Sequence, residues 1–499
     1  MILYGKLHMI VPFPHIRARC KELCQKYSVL QSYTPSLIFI FSLFFVQNNK
    51  MLAIDIAVFT VFLSIMQKNI ASALLLAFLT VLPFQKGISV PFEFFLRSDM
   101  WSERFPYILS VGIYFSDIIG MLFIYFSLKN SFSKKSHPAH AQDYFLFLFL
   151  LFSFISAFFS PAPSLSLAYS LKFCLLALLY RGIKKVPFQT IFSLLLISAV
   201  SITIFEGSLT AIQLLKSGKL HIAIETQNDS NQYDQSERTA VEDKYFFRPE
   251  GTFSDPNFLA LYVSTFLPMF AFLLILRSTH HPIRILSAFS GVFGILSLLL
   301  SSSRISWLAS GLSLTGIILY LKNRKVAVQN TVLKYAFIAV TGISIVLFPT
   351  ILLPRLLQIP ITLQYGGGVT YRWDFIEKTI DIIMKYPLGI GLGMFPIVHF
   401  QELGGSYSFP AEAHNVFAQV LGETGILGFL CFFLFIFSSI RQSLVRLKEH
   451  SQYSMQRIML FFSFSTYLFL SLFYPTLMEF PLISLLFILT ASLEAQDAV

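Results

Sequence analysis

Residues 406–428, SYSFPAEAHNVFAQVLGETGILG, carry a polar loop into an apolar helix, with His414 and Asn415 at the junction. The apolar character runs on to 438, long enough to cross the hydrocarbon of a bilayer, which takes roughly 20 residues. Further apolar runs stand near 34–47, 51–66, 69–84, 107–128, 143–160, 165–180, 187–206, 257–276, 284–302, 305–321, 333–352, 456–474 and 480–492. Several are short, so the early ones either merge or re-enter. The sequence therefore reads as an all-α, polytopic transmembrane helix bundle of about 12–14 spans.

Composition points the same way. The 499 residues are 55% hydrophobic and 13% charged, with 56 Phe and a mean hydropathy of +0.68. A soluble chain of this size needs far more charge to cover its surface, so the apolar excess faces lipid. The alternating strands of an outer-membrane barrel are absent. A formal charge of +11 would suggest nucleic acid in a soluble protein. Here the basic residues sit in short loops between spans, so topology accounts for them and no nucleic-acid partner is expected. Cys20, Cys24, Cys174 and Cys431 form no disulfide framework and read as free thiols.

The basic loops fix an orientation. With Arg17, Arg19, Lys21 and Lys26 in the cytoplasm, alternation puts Lys129/Lys134/Lys135, Arg181/Lys184/Lys185, Arg277/Arg284, Lys322/Arg324/Lys325 and Arg441/Arg446/Lys448 on that side too. The uncharged SPAPS at 160–164 falls outside. The division is then a cytoplasmic segment at 1–33, a transmembrane bundle at 34–206, an extracytoplasmic loop at 207–256, helices at 257–352, a large extracytoplasmic loop at 353–413, and C-terminal helices at 414–499.

Within the first loop, polar ETQNDSNQYDQSERTAVEDK at 225–244 gives way to YFFRPEGTFSDPN, whose aromatic, Pro and Gly residues indicate an ordered turn. In the second, Trp373, Ile376, Ile380, Ile383 and Met384 recur at helical spacing between Tyr371 and Tyr386. They predict an amphipathic helix on the outer leaflet, closed by Pro387. Gly389, Gly391 and Gly393 then read as a flexible turn.

Outside the cytoplasm there is no ATP or nucleotide sugar, so a synthetic enzyme there needs a substrate already activated, such as a lipid-diphosphate-linked sugar. It needs cations for the diphosphate, a base for an acceptor hydroxyl, and a groove for the lipid. Arginine suits the first task because its planar guanidinium pairs with phosphate oxygens. Arg304 follows three serines at the outer end of a helical hairpin, and its alternative role is snorkelling to headgroups. Arg248 precedes Pro249–Glu250–Gly251, and its alternative is a salt bridge to Glu250 or Asp255; Asp255 and Asn257 themselves read as a turn and helix cap. His414 is a candidate base, or else a capping residue. Asn415 either orients a sugar or caps the helix. Arg372 opens the amphipathic helix, with headgroup contact as its alternative, and Glu412 is an exposed alternative base. Glu423 is an intramembrane acid, but Gly422, Gly425 and Gly428 beside it argue for tight packing. Asp55, Asp117 and Glu206 receive no role. Neither long loop holds an Asp-X-Asp motif, and HExxH, Walker A and serine-elbow signatures are missing, so neither metal nor cofactor is expected.

RPEGTFSDPNFLALY, SSSRISWLA, YRWDFIEKTI, PLGIGLGMF and HNVFAQVLGETGILG, in this order over about 248–430, resemble the O-antigen ligase/O-antigen polymerase family of bacterial inner-membrane glycosyltransferases. The resemblance implies metal-independent transfer of a glycan from undecaprenyl diphosphate at the periplasmic face of the inner membrane. The acceptor is lipid A–core in a ligase and a second lipid-linked glycan in a polymerase. By resemblance, Arg248 and Arg304 take the diphosphate-binding positions and His414 the activating one, with Arg372 a less close match. Protein O-oligosaccharyltransferases share these motifs. A transporter is the reading from another class, but it calls for charged residues near the bilayer midplane, whereas the polar clusters here lie at the outer interface.

Overall fold

The computed structural model describes residues 33–46, 49–66, 69–84, 87–91, 110–129, 140–216, 240–241, 244–245, 248–276, 279–324, 342, 369–402, 412–448, 453–477 and 479–497. The run near 333–352 (Gly342 aside), Cys20, Cys24 and most of 225–244 lie outside them.

The helices fall on the apolar runs. They are α1 (Tyr33–Phe45), α2 (Asn49–Met66), α3 (Ile70–Val81), α4 (Phe115–Lys129), α5 (Ala141–Phe158), α6 (Pro163–Lys184), α7 (Phe188–Lys216), α8 (Pro256–Ile275), α9 (His281–Leu300), α10 (Arg304–Asn323), α11 (Val369–Lys385), α12 (Phe395–Glu402), α13 (Val416–Lys448), α14 (Ser454–Ser471) and α15 (Phe480–Glu494). Seven of them, α5 to α10 and α13, are long and apolar enough to cross a membrane. In hydrocarbon the backbone must satisfy its own polar groups, which is why these runs become helices. Proline in the first turn of α6, α8, α9 and α15 marks their starts, where its missing N–H costs nothing.

The structure departs from the apolar pattern. The run near 107–128 is not one helix: Ser110–Tyr114 (β2) pairs antiparallel with Gly87–Pro91 (β1), and α4 begins only at Phe115. A second short hairpin pairs Ala240–Val241 (β3) with Lys244–Tyr245 (β4). The helix over the 187–206 run continues to Lys216.

Helices α8 and α15 form the centre and are buried almost throughout. Around them pack α7, α9, α10 and α14 on one side and α5, α6 and α13 on the other. The outward faces of α5, α9 and α13 display Phe147, Phe289, Phe433 and Phe437, as lipid-facing surfaces do. At the end of the bundle where α15 finishes, Lys184 pairs with Asp143 (2.9 Å) and Glu494 (3.1 Å), and Arg457 donates to the carbonyls of Leu493 (3.0 Å) and Ala495 (2.9 Å). These contacts tie α5, α6, α14 and α15 together. The opposite end carries the site.

Candidate functional site

Four chain segments converge there, each held by local chemistry. Glu206 of α7 accepts hydrogen bonds from the Thr252 N–H (3.1 Å) and the Thr252 hydroxyl. Gln213, two turns on, bonds both ways with Gly251, its amide donating to the carbonyl and its oxygen accepting from the N–H, each at 3.0 Å. Gly251 has a φ of +64° and its position abuts Glu206, so a side chain has no room. The RPEGT turn is thus locked onto α7, and Arg248 is aimed inward. Asp255 then caps α8 through the Asn257 N–H, as its sequence position predicts.

Arg248 does not take either predicted carboxylate as a hydrogen-bond partner. Its Nε donates to the Ser301 carbonyl (2.9 Å) and one terminal nitrogen to Asn257 Oδ1 (3.0 Å), joining the RPEG turn to the SSSR hairpin. Ser302 makes that hairpin's bend at φ +56°, and Arg304 opens α10 immediately after it. Arg304 has no hydrogen bond or ion pair among the described residues; its electrostatic neighbours are Arg248 and Tyr474.

The third segment is α11, an amphipathic helix as predicted. It packs on the protein through Phe375, Thr379 and Ile382, leaving Trp373 67%, Ile380 54% and Met384 80% exposed on the face away from it. Arg372, in its first turn, looks into the site. Its Nε is buried without a partner among the described residues, and burial pushes the guanidinium below its ordinary value, with Arg304 adding to the shift. It stays charged at neutral pH, because arginine starts so high.

The fourth segment leads into α13. Asn415 Oδ1 accepts from the N–H groups of Phe417 (2.9 Å) and Ala418 (3.1 Å), so it is the cap of α13. His414 sits at φ +50°, and its ring packs on Phe375 with centroids 5.4 Å apart. Burial first, and the Arg372 charge second, lower its pKa to about 4, so the imidazole is neutral at pH 7. It has no hydrogen-bond partner among the described residues. Ser302 and His414 are the only non-glycine residues there with left-handed backbone. Such conformations cost on the order of 1–3 kcal/mol and gather at functional sites.

Two sequence readings need correction. Glu412 is not an exposed base: its Oε2 is sealed from solvent, and burial, with Glu479 and Glu423 adding, pushes the carboxyl well above the ordinary range. Gly389, Gly391 and Gly393 are not a flexible turn. They have φ of +88°, +93° and +78°, and this buried segment inserts into α13, which breaks at Gly425 (φ 74°). The break frees backbone groups that the insert uses: Ile390 N–H donates to the Gly422 carbonyl (3.2 Å), Gly391 N–H to Glu423 (2.8 Å), and Ile426 N–H to Pro387 (3.2 Å). The Glu423 carboxylate accepts from Gly393 N–H (2.9 Å), Phe395 N–H (3.2 Å) and Gln419 (3.2 Å). The intramembrane acid and its glycines therefore fix the loop that carries α11.

One site residue escaped the sequence reading. Tyr474, in the turn between α14 and α15, is buried against Ser303 and Ser306 and lies within electrostatic reach of Arg304 and Arg372. The signal available was a hydroxyl between two apolar runs on the same face as the arginines.

The structure therefore brings together Arg248, Arg304, Arg372 and His414: three guanidinium groups in succession, then a neutral imidazole. The fold and this cluster define a multi-pass membrane protein with a cationic, partly buried site at one end of its bundle. Residues 289–433 match the family described as O-antigen ligase, so that stretch of the chain is similar to this family. No curated protein matches the chain.

Proposed function

We propose that this protein transfers a glycan from undecaprenyl diphosphate to an acceptor hydroxyl at the periplasmic face of a bacterial inner membrane, in the manner of a ligase whose acceptor is lipid A–core. The observation that carries this reading is the run of arginines. Three guanidinium groups share one site, and Arg304 and Arg372 have no counter-ion among the described residues. Gathering unbalanced cations out of bulk water is costly, and a bound diphosphate offsets the cost with charge-assisted, paired hydrogen bonds.

The reaction is a single displacement. The acceptor oxygen attacks the anomeric carbon and its proton passes to a ring nitrogen of His414. The bond from that carbon to the diphosphate breaks, and its electron pair leaves on the phosphate oxygen. Arg304 and Arg372, with the free donors of Arg248, stabilise the charge growing there. An imidazole held at about 4 by burial and by Arg372 is a weak base before the donor binds. Donor binding neutralises Arg372 and makes it stronger, so the base gains strength once the leaving group is in place.

The test incubates purified protein with undecaprenyl-diphosphate-linked glycan, with and without lipid A–core, and follows products by gel and mass spectrometry. Glycan on lipid A–core is the expected outcome. Longer lipid-linked chains formed without that acceptor would replace the ligase reading with that of a polymerase.

A further inference from the structure

Ser303 stands at the N-cap of α10, yet its hydroxyl does not cap the helix. A capping serine accepts from the N–H two or three residues on. Here Ser303 Oγ donates to Ser306 Oγ (3.0 Å) and is bonded to the Tyr474 hydroxyl, which in turn lies 3.1 Å from Ser306 Oγ. Three hydroxyls with three protons close a ring in which each donates once and accepts once.

The consequence falls on the helix. Its first backbone bond runs from Trp307 N–H to the Ser303 carbonyl (3.1 Å), and the N–H groups of Arg304, Ile305 and Ser306 have no partner among the described residues. At this face α8 is capped by Asp255 and α13 by Asn415. Helix α10, which has a serine in place to do the same, is left open. Arg304 opens this helix, and Arg372, whose Nε is sealed from solvent without a partner among the described residues, lies within electrostatic reach of Arg304 and Tyr474. Uncapped N–H groups at a helix start bind anions through their hydrogens and the helix dipole.

We infer that Tyr474 is a positioning residue for the donor: by holding Ser303 in the hydroxyl ring, it keeps the start of α10 uncapped for a phosphate oxygen of the lipid-linked diphosphate. This rests on the function proposed above. Tyr474→Phe opens the ring and frees Ser303 to rotate into the capping position, where it competes with the phosphate.

The test measures donor and acceptor KM and thermal midpoints for four proteins: wild type, Tyr474→Phe, Ser303→Ala and the double variant. A competing cap of ordinary strength raises the donor KM of Tyr474→Phe by about fivefold to tenfold, with acceptor KM and thermal midpoint held. Alanine cannot cap, so the double variant is expected to recover donor KM, and Ser303→Ala alone to keep it near wild type. A double variant no better than Tyr474→Phe, a raised donor KM in Ser303→Ala, or an unchanged one in Tyr474→Phe would overturn this inference alone. A wild-type protein that turns over no diphosphate-linked donor would overturn the functional reading and this inference with it.

Discussion

The Arg372 guanidinium bears directly on the His414 imidazole: its positive charge, added to burial, holds that ring neutral down to about pH 4. Arg372 comes from α11 and His414 from the entry to α13, and Phe375, three residues or about one helical turn beyond Arg372, packs against the histidine ring. One helix therefore supplies both the Arg372 guanidinium and part of the setting of the His414 imidazole.

This coupling has a pH signature. A base must be unprotonated to act, so kcat/KM is expected to hold from neutrality down to about pH 4–5 and to fall below that, as the free-enzyme imidazole takes a proton. Arg372→Gln removes one of the two causes of the low value, and the acid limb should move up in pH, though not to the ordinary histidine value, because burial is the larger cause. A pH–rate profile whose acid limb is the same in both proteins contradicts the coupling.

The same group ties folding to pH. Its folded value of about 4 lies below the ordinary 6.5, so unfolding takes up a proton between those two values. Stability from this group is full above about pH 6.5 and is lost as pH falls toward 4. His414→Gln is expected to lessen the acid-induced drop in thermal midpoint between pH 7 and 5. An identical drop in both proteins counts against a buried neutral ring.

The insertion of 387–395 into the break of α13 leaves no room for a side chain at Gly389 or Gly425. A Cβ at Gly425 would fall 2.5 Å from the Leu388 carbonyl carbon and 2.6 Å from the Pro387 oxygen; at Gly389 it would fall 2.4 Å from the Glu423 oxygen. All these neighbours are backbone, and both glycines have positive φ. Gly425→Ala is therefore expected to cost more than about 2 kcal/mol, seen as a lower thermal midpoint in detergent, with transfer reduced because α11 is displaced. A variant as stable and active as wild type would mean that the insert is not held this way.

Glu206 sets Arg248 through the turn that carries it. Removing its carboxylate in Glu206→Ala leaves the Thr252 N–H and hydroxyl without their buried acceptor, at roughly 1–3 kcal/mol for the stranded groups. The RPEGT turn loosens and Arg248 with it, so donor KM should rise more than acceptor KM. Equal changes in the two would point to general destabilisation instead.

The fold was legible in the sequence because hydrocarbon allows few solutions: among the described residues α5 to α10 and α13 begin and end close to the predicted runs, apart from the extensions of α7 and α13. The run at 107–128 misled because apolar residues fit a strand as well as a helix, and β2 occupies its first part. Arg248, Arg304, Arg372 and His414 stood out as polar residues at helix junctions, and the structure gathers them. The misses were residues whose meaning lies in a distant partner. Glycines at 389–393 look loose until the break at Gly425 is known, Glu412 looks exposed until the carboxylates around it are seen, and Tyr474 looks like loop until Ser303 and Ser306 reach it.

The initial rate of undecaprenyl diphosphate release from the glycan-linked donor, in wild type, Arg304→Ala and His414→Ala, tests the site directly. Neither Arg304 nor His414 has a hydrogen-bond or ion-pair partner among the described residues, so both variants are expected to fold. Loss of a donor aimed at developing charge slows such reactions by about 100-fold to 1,000-fold, and loss of a general base by about 100-fold or more. Both variants should fall in that range, with thermal midpoints near wild type. Release at the wild-type rate in His414→Ala would remove the base, and in Arg304→Ala would remove the cationic diphosphate site.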